Sequence, residues 1–187
     1  MNRSQIPNIL SIGRLLAVPP LVILLLAGHH VWALFVAVVA GISDLLDGWL
    51  ARRFNWQSRF GKIADPAADK IMMVACYLAL GWLAELPWWL IAVVIIRDLV
   101  IVIGSWAYHV KIEPLEAQPT QLSRFNTFCQ VFLMWFVLVR LAGLPLPTEA
   151  QIGLEWLVAF MGVTTLVQYI WLWGCKAIVV SRSRKVG

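Results

Sequence analysis

Asp44, Asp47, Asp65 and Asp69 stand inside long apolar runs, where ionisable side chains are out of place. Even on lenient insertion scales, one acid at the centre of a membrane helix costs about 2.5–3.5 kcal/mol. Asp44 and Asp47 are three positions apart and Asp65 and Asp69 four, so on helices each pair occupies one face. Four carboxylates gathered at one place repel each other unless cations neutralise them. An all-oxygen ligand set favours Mg²⁺, Mn²⁺ or Ca²⁺ over zinc or copper. Paired divalent ions about 3.5–4 Å apart recur in phosphoryl and nucleotidyl transfer, where they orient phosphate oxygens and stabilise charge in an in-line displacement. A carboxylate freed from full metal duty can accept the proton of an attacking hydroxyl. The bland alternative is four acids each paired with a structural base, for which Arg52, Arg53 and Lys70 are at hand.

Small residues surround these acids. Gly48 follows Asp47 within an expected helix, where glycine costs about 1 kcal/mol relative to alanine. It makes sense if something flat, such as a base or ribose, approaches the backbone there. Ala51 and Gly61 extend the small-residue surface. Close helix–helix packing through small residues explains Gly48 and Ala51 equally well.

The elements that must carry these residues follow from composition. Of the 187 residues, 61% are hydrophobic and 13% charged. The mean hydropathy is +0.80. Soluble domains are about 45–50% apolar and about 25% charged, so an integral membrane protein forming one unit over 1–187 is expected. A membrane span needs about 20 apolar residues. Six segments qualify: 9–28, 31–53, 62–83, 87–109, 123–143 and 151–173. Residues 1–8 read as a short interfacial segment that Pro7 stops or redirects. No cleavable signal peptide is expected, because Pro19-Pro20 breaks the apolar stretch after Arg3 and no A-x-A site follows. Trp88, Trp89, Trp171 and Trp173 fall near span ends, as an aromatic belt requires.

The net charge is +5, yet the basic residues lie between the apolar runs rather than in a nucleic-acid-binding stripe. Arg3, Arg52, Arg53, Arg59, Lys62, Lys111, Arg124 and the tail bases Lys176, Arg182, Arg184 and Lys185 fall at one side of the expected membrane. The positive-inside rule makes that side cytoplasmic, with both termini and the aspartates there. The tail bases suit anionic lipid. Cys76, Cys129 and Cys175 are far apart in apolar runs, and inert core thiols fit them better than a disulfide framework or zinc site.

Read together, the positions spell Asp44-x2-Asp47-Gly48-x2-Ala51-Arg52-x8-Gly61-x3-Asp65-x3-Asp69. This resembles the signature of the CDP-alcohol phosphatidyltransferase family at every fixed position and in both spacings. The six-span layout extends the resemblance over nearly the whole chain. The resemblance implies that Asp44, Asp47, Asp65 and Asp69 hold two divalent cations, Mg²⁺ or Mn²⁺, and that Asp69 is also the general base. Gly48, Ala51, Arg52 and Gly61 would line the cytidine-diphosphate site. The donor would be CDP-diacylglycerol with its acyl chains in the bilayer; an acceptor hydroxyl would attack the lipid-linked phosphorus and CMP would leave. A homodimer is a further implication, and the cell (inner) membrane is the expected location.

The motif is silent on the acceptor, so other polar residues must supply it. Arg97-Asp98 falls inside the fourth span, either lining an acceptor pocket or compensating each other. Ser123, Asn126, Thr127 and Gln130 share one face at the start of the fifth span, beside Arg124. The opening Ile6-Pro7-Asn8-x-Leu10-Ser11-x2-Arg14 resembles both phosphatidylglycerophosphate synthases and CMP-forming cardiolipin synthases. Arg97-Asp98, the Pro119–Gln130 stretch and the late Thr164-Thr165…Tyr169…Gly174-x-Lys176 resemble the cardiolipin synthases more. Glycerol 3-phosphate users usually carry two lysines at the fifth-span motif, where this chain has Arg124 and Asn126. A near-dianionic phosphate wants several strong donors, whereas phosphatidylglycerol brings a neutral hydroxyl and one charge. Arg97, Asp98, Arg124, Asn126 and Gln130 are therefore the candidate acceptor residues and phosphatidylglycerol the favoured acceptor, with glycerol 3-phosphate the alternative. Asn8, Ser11 and Arg14 are placed to touch the donor nucleotide or phosphates, and a snorkelling Arg14 at the interface is the other option.

A metal or proton transporter is the rival from another class. It would carry polar groups on towards the far side of the membrane, often in inverted repeats. Here the far halves of the second and third spans are almost wholly apolar.

Overall fold

The computed structural model describes residues 6–54, 61–111 and 120–186. Six helices account for nearly all of them: α1 (Ile6–Leu26), α2 (His30–Phe54), α3 (Gly61–Trp82), α4 (Trp88–Lys111), α5 (Gln121–Leu141) and α6 (Thr148–Val186). Each coincides with one expected apolar segment. Among the described residues, Gln121–Leu141 and Thr148–Leu172 are long and apolar enough to cross a membrane, and Gly13–Leu26 and His30–Leu46 are shorter apolar stretches.

One sequence expectation about proline is corrected. Helix α1 begins at Ile6 and takes Pro7 into its first turn, so residues 6–8 belong to the helix rather than to a separate lead-in. A proline there removes an N–H that would have no partner inside the helix anyway. Pro19 and Pro20 also lie inside α1, which runs on to Leu26. Both are exposed on the helix surface, and prolines are tolerated inside apolar helices whose neighbours re-satisfy the freed carbonyls. At the other end of the chain α6 runs past residue 173 to Val186, so the basic tail continues that helix.

The turns after α1, α3 and α5 share one mechanism. After α1, the Gly28 N–H donates to the Leu25 carbonyl at 3.1 Å and the His29 N–H to Leu24 at 2.9 Å. After α5, Gly143 donates to Arg140 and Leu144 to Val139 at 3.1 and 3.3 Å. Gly28 and Gly143 take the left-handed conformation, at φ +77° and +105°, that this Schellman cap requires. After α3 the same position is held by Ala84 at φ +57°.

The chain divides into two compact units, one of residues 1–86 and 134–146 and one of residues 87–133 and 147–187. In the first, α1 packs against both α2 and α3. Ala33, Ala37 and Ala40 form a buried stripe on α2, and small residues at such spacing let helix backbones approach closely. Leu21 and Leu25 of α1 and Tyr77 and Leu80 of α3 are buried in the same unit. Among the described residues α2 and α3 make no close helix contact with each other, and α1 is the helix that both of them touch. In the second unit α4 packs on α6. A Cβ on Gly162 would sit 3.2 Å from Val93 Cγ1, so the glycine permits that approach. The outward surfaces are apolar: Leu16, Trp32, Leu45, Trp82, Phe128 and Trp171 are all exposed.

Candidate active site

Asp44 comes from α2 and Asp69 from α3, and the two carboxylates meet at one guanidinium. Arg14 of α1 places Nη2 2.7 Å from Asp44 Oδ1 and pairs through Nη1 with Asp69 Oδ1. The arginine side chain has no solvent exposure, while the aspartate side chains are 43% and 46% exposed. Arg14 is therefore an enclosed cation beneath two open carboxylates, and it does not snorkel. Its place follows from α1 lying against both partner helices. The sequence carried one signal for it: a charge inside an apolar run needs a partner. Arg14 is not among the bases named from sequence as structural partners of the acids, which are Arg52, Arg53 and Lys70.

Asp47, Gly48, Ala51 and Arg52 lie on the helical backbone of α2, and Gly61 and Asp65 on that of α3. Asn8 is in α1. Beyond their helical backbone, all seven fall outside the described residues. Helical spacing puts Asp47 one turn beyond Asp44 and Asp65 one turn before Asp69. Among the described residues no three metal-ligating side chains cluster, and Asp44 and Asp69 are the half of the acidic set that can be seen. Their donor chemistry fits a hard divalent ion: carboxylate oxygens from two helices, partly open to solvent and drawn to one positive group. A cleft of about 390 Å³ opens beside Arg14 between α1 and α2, with Ser43 near it and Ala17, Phe35 and Val39 along its apolar walls.

A second polar centre lies wholly within the other unit. Arg97 of α4 donates from Nη1 to Asp98 at 2.6 Å, from Nη2 to Ser123 Oγ of α5 at 2.6 Å and from Nε to Thr165 Oγ1 of α6 at 3.1 Å. Arg97 and Asp98 are both buried, so the charge pair is compensated locally and tied to hydroxyls of two other helices. Thr120 sets the start of α5. Its Oγ1 accepts from the Ser123 N–H at 3.2 Å, an N-cap bond, and makes a 3.1 Å bond to Gln168 Oε1. The Thr120 N–H donates to the Tyr169 hydroxyl at 3.3 Å.

The face expected on α5 is present. Ser123, Asn126 and Gln130 are buried and Thr127 half-buried, whereas Arg124 points to the exposed side. Asn126 has no exposed surface, and neither its Nδ2 nor its Oδ1 has a hydrogen-bond partner. A buried amide left so is costly unless something else supplies the bonds. Cys76 and Cys129 are buried free thiols, as expected; the Cys175 side chain is outside the described residues.

The family model described as CDP-alcohol phosphatidyltransferase matches residues 4–179, which include all the motif aspartates. The chain belongs to the CDP-alcohol phosphatidyltransferase family. Among its relatives in that family, a protein of Streptomyces coelicolor named cardiolipin synthase (CMP-forming) is 40% identical over 112 residues, 56% of this chain and 52% of the relative. A Cereibacter sphaeroides CDP-diacylglycerol–glycerol-3-phosphate 3-phosphatidyltransferase is 30% identical over 157 residues, 81% of this chain and 71% of the relative. A probable cardiolipin synthase (CMP-forming) of Drosophila melanogaster is 30% identical over 185 residues, 90% of this chain and 58% of the relative. The matched region thus spans about half the length of the Streptomyces protein.

Proposed function

We propose that this CDP-alcohol phosphatidyltransferase family member is a six-span membrane enzyme, one domain over 1–187, that transfers the phosphatidyl group of CDP-diacylglycerol to an acceptor hydroxyl. The observation that carries it is the convergence of Asp44 and Asp69, the first and last acids of the motif, on the single Arg14 guanidinium. That convergence from two helices is what a shared cation site between them needs. The apolar outward faces and the distribution of lysine and arginine support both termini and the active site facing the cytoplasm.

In this reading Asp44, Asp47, Asp65 and Asp69 hold two divalent ions, Mg²⁺ or Mn²⁺. Bound there, the ions would neutralise phosphate charge and polarise the phosphorus under attack. Gly48, Ala51, Arg52, Gly61 and Asn8 line the cytidine-diphosphate end, and the apolar cleft beside Arg14 suits hydrocarbon. Asp69 takes the proton of the acceptor hydroxyl as its oxygen bonds to the lipid-side phosphorus. The bond from that phosphorus to the bridging oxygen breaks, and CMP leaves with the electron pair.

Phosphatidylglycerol is the favoured acceptor and cardiolipin the product, with Arg97, Asp98, Arg124, Asn126 and Gln130 at the acceptor side. The unpartnered buried Asn126 amide supports an uncharged hydroxyl ligand there. Glycerol 3-phosphate is the second reading, supported by the match to the Cereibacter transferase, of which 71% is covered.

The test supplies the purified chain with Mg²⁺ or Mn²⁺, CDP-diacylglycerol, and each acceptor in parallel. Metal-dependent CMP release with cardiolipin formed from phosphatidylglycerol alone is expected. Phosphatidylglycerophosphate formed from glycerol 3-phosphate alone would exchange the acceptor and keep the chemistry. No CMP with either, across a wider panel of alcohols, would overturn the transferase reading in favour of a transporter.

A further inference from the structure

We propose that Arg14 is a built-in counter-cation of the aspartate site, offsetting the repulsion between Asp44 and Asp69 from the buried side and holding down how tightly the site takes a divalent ion. This rests on the metal-assisted reading above and adds a charge-setting residue that the acidic motif does not contain.

The geometry is one-sided. Arg14 is enclosed, and the two carboxylates it joins remain nearly half open to solvent. A small hard cation can therefore approach from the open side while the guanidinium stays beneath. Arginine suits the place because its planar fork reaches two carboxylates at once and stays charged at any physiological pH. It stands on α1, which packs against both α2 and α3, so the contact also ties three helices together.

Two consequences of opposite sign follow. Without metal, the guanidinium offsets the repulsion between the aspartates and steadies the helices that carry them. With metal, the same positive charge repels the ion and holds its affinity down. Removing the charge should weaken the metal-free protein and tighten the metal. A side chain that merely packed the helices would give the first effect alone. One that prearranged the ligands would give the first together with weaker metal binding.

The experiment uses the full chain in detergent micelles and Mn²⁺ alone as the probe. Binding is followed by the loss of the free-ion paramagnetic resonance signal, and unfolding temperature is read in EDTA and in Mn²⁺. Arg14→Met is expected to unfold below wild type in EDTA, to gain more than wild type from added Mn²⁺, and to bind Mn²⁺ about tenfold more tightly. Arg14→Lys keeps the charge without the fork, so it should lose stability in EDTA yet hold Mn²⁺ within about threefold of wild type. The lysine variant carries the test if the methionine variant does not fold. Unchanged or weaker Mn²⁺ binding in Arg14→Met overturns the proposal, as does a tenfold change in Arg14→Lys. Wild-type protein that neither binds Mn²⁺ nor releases CMP overturns the metal-assisted reading itself. Wild-type protein that does both, with variants of unaltered affinity, overturns only the role of Arg14.

Discussion

Arg14 Nη2 lies 2.7 Å from Asp44 Oδ1, with the arginine side chain wholly enclosed and the aspartate 43% exposed. The pairing joins a residue of α1 to the first acid of a motif carried entirely by α2 and α3. It makes α1 part of the site's architecture, although its sequence reads chiefly as an apolar helix.

Asp69, at the other side of the same guanidinium, is the proposed base and a proposed metal ligand. Asp69→Asn is expected to reduce CMP release by at least about 10²–10⁴-fold, the range for loss of a positioned base. Donor binding should partly survive. Near-normal turnover would remove the base assignment.

Arg97 and Arg124 should separate cleanly. Replacing Arg97 with leucine removes the guanidinium paired with the buried Asp98, a loss of about 3–5 kcal/mol for a broken buried pair. Arg124 is exposed, so Arg124→Ala should leave the unfolding temperature unchanged while raising the KM for the acceptor more than for CDP-diacylglycerol. Equal effects on both substrates would assign Arg124 no acceptor role.

Asn126 is a buried amide with neither polar atom bonded. Asn126→Leu, close in volume, is expected to leave stability unchanged or raise it by about 1 kcal/mol. Acceptor use should fall about tenfold, the scale of one lost hydrogen bond to substrate. Thermal unfolding and acceptor kinetics on one preparation decide this, and a parallel loss of both would make the residue a packing element.

Thr120 caps α5 and touches α6 through Gln168 and Tyr169. Thr120→Ala should cost about 1–2 kcal/mol, read as a lowered unfolding temperature. Thr120→Ser, which keeps the hydroxyl, should recover most of it.

Ala84 holds a left-handed position at φ +57°. Ala84→Gly is expected to raise stability by up to about 1 kcal/mol, because the relieved strain exceeds the added freedom of the unfolded chain. A lower unfolding temperature would show that the turn tolerates alanine without strain.

Much of the architecture was legible because it is local. Runs of apolar residues about a membrane thickness long, separated by Gly28, Pro87, Gly143 and Pro147, foretell helices whatever those helices touch. The spacings of Asp44/Asp47, Asp65/Asp69 and Ser123/Asn126/Gln130 likewise foretell which residues share a face, since 3.6 residues per turn is a property of the backbone. Local rules misled where neighbours prevail. Pro7 read as an interruption and α1 runs through it.

What the sequence determined by itself, then, is the set of helices, the acidic motif, and the family to which that motif belongs. Tertiary structure decided which helix the acids face. Asp44 and Asp69 read as charges seeking metal or a nearby base, yet the group that joins them comes from Arg14, far away along the chain. It likewise decided that Arg97 is held by Asp98, Ser123 and Thr165 from three helices. The physical reason is the same in both cases. A buried charge must be neutralised by whatever packing brings within a few ångströms, and helix periodicity does not specify which helices become neighbours.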